Sequence, residues 1–147
     1  EHHEELRYYA KQRNTAPGHV HGKALKTRAG LTLTKAMDDA PLLARILADQ
    51  ADSISTDPGA ESVILVAHGP NEDADNTRWL GCLKTQAERL QRSLGFRRVE
   101  FVTLRDDAPS PVRDAATAEL REKVKAASLD TKVLVVPVLI SVGHAQA

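Results

Sequence analysis

The sequence predicts an α/β domain built on a parallel sheet with helices on both faces. Three unbroken apolar runs carry this expectation: "SVILVA" (62–67), "RVEFVTL" (98–104) and "KVLVVPVLI" (132–140). Runs of this kind suit strands covered on both faces, whereas a strand with one wet face would alternate. Segments of helical period fill the intervals, and an α-β-α-β-α-β-α-β order calls for right-handed crossovers between parallel strands.

The elements follow in order. "EELRYYAKQR" reads as a helix, and "NTAPGHVHGKALKTRAG" as a loop rich in turn residues. "GLTLTKA" (30–36) reads as a short strand, the fourth of the expected sheet. "APLLARILADQADSI" (40–54) reads as a helix with Leu42, Leu43, Ile46 and Leu47 inward. After the strand at 62–67, residues 74–94 place Trp79, Leu80, Leu83, Ala87, Leu90 and Leu94 on one stripe, and Gly95 supplies a stop. Ser110 followed by Pro111 predicts a capped helix start. That helix carries Val112, Ala115, Leu120 and Val124 inward.

Bulk properties bound the function. A chain of 147 residues is one domain by length and can bury roughly 68–70% of its unfolded surface. Twenty basic and twenty acidic residues cancel, so no global basic field points to nucleic acid. The single cysteine, Cys82, excludes an intramolecular disulfide and a cysteine-rich zinc site, and fits a reducing, cytoplasmic setting. No apolar run approaches the ~18 residues that span a bilayer, and no secretory signal pattern opens the chain.

In parallel α/β sheets ligands sit beyond the carboxyl ends of the strands. That rule selects three loops: "HGPNEDADN", "RDDAPS" and "SVGHAQA". Two carry a histidine, His68 and His144, each beside a glycine. With neighbouring strands ~4.8 Å apart, histidines on adjacent strand ends can share one crevice. Two imidazoles suit a borderline divalent ion, and either can accept a proton near neutral pH. The plainer alternative is that each histidine only hydrogen-bonds within its loop.

"VILVAHGPNEDADNTRWL" resembles the first strand and loop of the sirohydrochlorin chelatases, small ATP-independent enzymes that insert metal into tetrapyrroles for cobalamin and siroheme synthesis. Their pattern is an apolar strand, His-Gly-Ser, and a polar loop with an Asn entering the first helix. His68, Gly69 and Asn76 match, and Pro70 replaces the usual Ser. "VLVVPVLISVGHAQA" resembles their later strand with an internal proline and a Gly/His loop; Pro137, Gly143 and His144 match, with the spacing one residue short. "GLTLTKAMDDAPLLARILADQ" looks like the unit that closes such a domain, here placed before the opening strand. The resemblance therefore implies residues 30–147 spanning a repeat junction and truncated at the C-terminus. Residues 1–29 would then be an N-terminal helix and loop, the tail of a preceding repeat.

Several expectations follow from that resemblance. The fold would be a four-stranded, flavodoxin-like parallel sheet. His68 and His144 would hold Co²⁺, Fe²⁺ or Ni²⁺ as substrate, with no organic cofactor. Metal insertion removes two pyrrole protons, and a histidine, Asp106 or Asp107 would take them. The tetrapyrrole's carboxylates would meet Arg78, Lys84 and Arg105, with Gly69 and Asn76 also at the macrocycle. Partners would be that small molecule and a second copy or tandem repeat, with neither nucleic acid nor membrane. One departure stands out: many relatives carry a Glu before a Pro-Ser pair, where this chain reads "TLRDDAPS" with Arg105 near that place.

Other features carry plainer readings. His19-Val20-His21 lies in a glycine-flanked loop and reads as exposed, and His2-His3 as incidental. "NEDAD" lacks calcium-loop spacing and reads as acids complementing a helix start. Trp79 reads as core, and Cys82 as a small buried residue. A histidine phosphatase would need an Arg before His68, where Ala67 stands. A non-catalytic metal- or tetrapyrrole-binding relative, or an inactive repeat, is the alternative that Pro70 and Arg105 favour.

Overall fold

The computed structural model describes residues 26, 28–32 and 37–138. The chain divides into two compact units, Glu1–Met37 and Asp38–Ala147, and every helix and strand among the described residues lies in the second. Its elements are α1 (Pro41–Asp52), a 3₁₀ turn (Pro58–Ala60), β1 (Glu61–Ala67), α2 (Asp73–Leu94), β2 (Arg98–Thr103), α3 (Ser110–Ala127) and β3 (Lys132–Val138). The N-terminal helix, His2, His3, His19 and His21 lie outside the described residues, as do Gly143 and His144.

The sheet is parallel, in the order β2-β1-β3. Among the described residues it has three strands rather than the expected four. Of the segment read as the fourth, residues 30–32 are not in a strand and 33–36 lie outside the described residues.

β1 is the centre, and all seven of its residues are buried. Its alternating side chains enter two separate cores. Val63 and Leu65 join Leu47, Ala51, Ala87, Leu90, Phe96, Leu134 and Val136 under α1 and α2. Ile64 and Val66 join Val102 under Leu120 and Val124 of α3. This is why its sequence shows no polar alternation: both faces are covered. Each large side chain so buried contributes about 1.5–3 kcal/mol.

The helices keep their predicted places but turn differently. On α1 the inward face is Leu43, Ala44, Leu47, Ala48 and Ala51. Leu42, at 62% exposure, and Ile46 point out, correcting the expected stripe. The face that packs on Ala87 and Leu90 of α2 is the one carrying Leu43, Leu47, Ala48 and Ala51, which leaves Leu42 and Ile46 on the far side. α2 buries Leu83, Gln86, Ala87 and Leu90, but Trp79 is 44% exposed and is not core. Buried Gln86 donates to the carbonyls of Asp38 and Ala40, securing the start of α1.

Gly95 ends α2 at φ +73°, in the left-handed conformation expected of a helix stop. α3 begins one residue earlier than its capping signal implied. Pro109 is its N-cap, and the Ser110 hydroxyl accepts from Arg113 instead of capping backbone. Ala116 is buried in place of Ala115.

At the amino end of the sheet, register sets Glu61 opposite Lys132. Glu61 is 2% exposed and accepts from Lys132 Nζ at 2.8 Å. The Ser55 hydroxyl and the Thr56 N–H and hydroxyl also donate to it. Lys132 first, then Ser55, hold its carboxyl at about 2, below the ordinary 4.5. A carboxyl depressed on folding contributes stability above its ordinary value and loses it as pH falls through the folded one. Wild type should therefore lose stability between about pH 5 and about pH 2, and Glu61→Gln should flatten that slope. Urea melts across the pH series test this; parallel slopes for the two proteins would contradict it.

Candidate functional site

The register brings Ala67, Thr103 and Val138 level at the carboxyl end of the sheet. His68 is therefore the first residue past the rim on the central strand. The strands leading toward His68 and His144 are neighbours, as the shared-crevice expectation requires, although His144 itself is outside the described residues.

His68 is half-exposed, and its two ring nitrogens face different groups. Nδ1 lies 2.9 Å from the Gly69 carbonyl. A carbonyl can only accept, so Nδ1 carries the proton of the neutral ring, and the lone pair falls on Nε2. Nε2 stands 3.4 Å from Asp107 Oδ2, with the His68 side chain 44% and the Asp107 side chain 74% exposed. A lone pair facing a carboxylate is favourable only with a proton or a cation between them. Asp107, one of two carboxylates nominated from sequence, is thus the one beside His68.

Two devices hold the His68 loop. The first is Gly69, buried at φ +77°, where an added Cβ would come 2.5 Å from Thr103 Cβ. Thr103 is itself pinned, its hydroxyl donating to Asn76 Oδ1 at 2.7 Å. The glycine is needed for approach to the next strand, a different use from the close approach of a ligand.

The second device is Arg105. Its backbone N–H donates to the His68 carbonyl at 2.5 Å. Its guanidinium donates to the carbonyls of Pro70 (3.0 Å) and Asn71 and pairs with Asp73 Oδ1 (2.7 Å). Arg105 is 8% exposed and holds φ +55°, a strained conformation for a residue with a side chain. In this structure the cation near the expected Glu position is a clasp on residues 70–73.

The remaining nominated residues sort by geometry. Arg78 is exposed and pairs with Asp75, whose carboxyl it holds below the ordinary value. Asp73 and Asp75 fall in the first turn of α2, matching the reading of "NEDAD" as acids at a helix start. Lys84 and Asp106 are exposed. Cys82 is half-buried, and burial, with Asp38 and Asp39 adding, pushes its thiol upward, which keeps it protonated. Among the described residues no three His, Cys, Asp or Glu side chains stand together as a metal-holding group; His68 and Asp107 form a pair.

Sequence reasoning missed a cleft of about 390 Å³ over the carboxyl end of β2. Asn76 and Leu80 of α2, Thr103 and Arg105 line it, facing Pro111, Val112, Ala115, Ala116 and Glu119 of α3. His68 and Asp107 are not among its lining residues. No helix among the described residues is long and apolar enough to cross a membrane. No family model, curated protein or solved structure matches this chain.

Proposed function

We propose that the His68 rim binds a divalent transition metal and delivers it to a tetrapyrrole of the sirohydrochlorin type, without ATP. The observation that carries the reading is the orientation of His68: Nδ1–H is spent on the Gly69 carbonyl, and Nε2 faces Asp107 at 3.4 Å. An imidazole fixed through one nitrogen presents the other as a ligand of defined direction. A carboxylate beside it adds a second ligand or a proton acceptor.

Insertion exchanges the ion for two pyrrole protons. Nε2 of His68 and the Asp107 carboxylate can take one each once the ion has passed to the macrocycle nitrogens. Both groups are exposed enough to hand those protons to water. His144 remains the nominated second ligand. Arg78 and Arg105, nominated for the macrocycle carboxylates, are already partnered by Asp75 and Asp73, which shifts weight toward Lys84 and backbone donors for that task.

Anaerobic absorbance of Co²⁺ insertion into sirohydrochlorin, wild type against His68→Ala, tests the proposal. Wild type should exceed the uncatalysed rate, and His68→Ala should fall by about 10²-fold or more, the usual scale for a positioned proton acceptor. Asp107→Asn should fall less. A wild-type rate equal to background, with the macrocycle still bound, would favour the second reading, a binding relative. The bracing use of Arg105 where a Glu is usual is the observation on that side.

A further inference from the structure

We propose that the outer edge of β3 and the outward flank of α1 form one surface that pairs with a second copy of this chain. Both elements belong to the unit Asp38–Ala147, and the surface does not rest on the metal-insertion reading.

The strand supplies the first half of the surface. β3 pairs with β1 on one side, and among the described residues nothing pairs with the other. An open edge is a row of unpaired N–H and C=O groups that templates another strand. The two edges of this sheet differ. β2 carries Arg98 and Glu100, with Glu100 bonded to Lys123 of α3, whereas β3 past Lys132 reads "VLVVPV" without a charge. Leu134 and Val136 are buried under α1. On the opposite face Val133 packs beneath α3, but Val135 is 47% exposed and Pro137 is exposed. An unbroken apolar run belongs to a strand covered on both faces, and here half of that second face is open.

The helix supplies the second half. α1 straddles β1 and β3, with Leu47 and Ala51 clustered on Val63, Leu65, Leu134 and Val136. α2 closes one side of α1 and packs toward β2, so the side of α1 turned away from α2 lies toward the open edge. The exposed stripe there is Leu42, Arg45, Ile46 and Asp49, at the spacing of one helix face. Arg45 and Asp49 have no ion-pair partner among the described residues.

A two-fold axis normal to the sheet joins both halves to their own copies. β3 then meets β3 antiparallel, Val135 opposite Val135, and Lys132 faces Val138, so no like charges oppose each other in the ladder. Pro137 has no N–H to give and is tolerated on an open edge; its carbonyl accepts from Val133 of the copy. With strands ~4.8 Å apart, the two α1 helices, each above a β1–β3 gap, stand about 10 Å apart. That is the distance at which helices pack. They run antiparallel, so Arg45 of each copy faces Asp49 of the other, with Ile46 between. Charge, strand direction and helix spacing thus select a second copy as the occupant.

Sedimentation equilibrium of the full chain tests the proposal. A monomer–dimer equilibrium is expected, with a Kd below about 1 mM. Asp49→Arg sets like charges face to face and should weaken association at least about tenfold. Combining it with Arg45→Asp restores the opposite signs and should restore association. Val135→Lys brings two ammonium groups together at the axis and should weaken association by a similar factor, at least about tenfold. All three positions are exposed, so urea midpoints should stay near that of wild type. Amide exchange at Val133 and Val135 should slow as protein concentration rises. A dimer indifferent to either single variant, or a charge swap that fails to restore association, would overturn the proposal. A chain still monomeric at about 1 mM would overturn it too and leave the edge to a different protein. Neither metal nor macrocycle enters this measurement, so its result stands apart from that of the insertion assay.

Discussion

Gly69→Ala is expected to destabilise the domain by about 2–5 kcal/mol, a large share of a small domain's margin. Two costs combine. At φ +77° a side chain costs roughly 1–2 kcal/mol in backbone crowding. The new Cβ would also sit 2.5 Å from Thr103 Cβ, and overpacking in a tight site costs about 1–3 kcal/mol. Thr103 cannot swing away, since the contact is to its Cβ and its hydroxyl is tied to Asn76. Thr103→Ser should therefore rescue little, because it removes Cγ2 and leaves Cβ in place. Urea denaturation of the single and double variants measures this. A cost within about 0.5 kcal/mol, the range of an ordinary surface change, would mean that β1 and β2 do not meet so closely there.

The second large effect is expected at Arg105. Arg105→Met keeps the apolar stem and removes every guanidinium bond. The carbonyls of Pro70, which is buried, and Asn71, which is half-buried, lose their donors. Each unsatisfied group costs about 1–3 kcal/mol, while the pair with Asp73, a carboxylate 91% exposed, adds little. The expected loss is about 2–4 kcal/mol by urea denaturation. Arg105→Gly separates backbone from side chain. It relieves the strain at φ +55°, roughly 1–2 kcal/mol, but also deletes the stem of a residue only 8% exposed, so it should be at least as damaging as Met. Arg105→Lys should behave more like Met, since an ammonium cannot span three acceptors in a fixed fork. If His68 binds metal as proposed, Arg105→Met and Arg105→Lys should also weaken Co²⁺ binding there, because the clasp holds the loop that begins at His68. Equal stability of wild type and Arg105→Met would refute the clasp.

How far the sequence carried the fold is clear from particular elements. β1 and the C-terminal end of α2 were legible because their signals are local: the apolar run at 62–67 with no polar alternation, and a glycine closing a helical stripe. The facing of α1 was less legible. Leu42 and Ile46 fit an apolar stripe as well as Ala44 and Ala51 do, and only the position of α2 and the sheet decides which of them is buried. Trp79 shows the same ambiguity one turn above a true core leucine, Leu83.

The candidate site divides in a similar way. His68 at a strand end and the carboxylates Asp106 and Asp107 in the loop after β2 follow from strand ends and loop order, whereas Asn76 was singled out by the family resemblance. Pattern and composition also determined the parallel α/β class and the absence of a global charge field. Only the tertiary structure decided what those side chains are bonded to. Asp107 rather than Asp106 meets His68, Gly69 yields to Thr103 across the sheet, and Arg105 spends its charge on residues 70–73. The physical reason is range. Periodicity and capping act over one or two turns of chain, whereas these contacts join residues more than thirty positions apart, and only sheet register sets their distances.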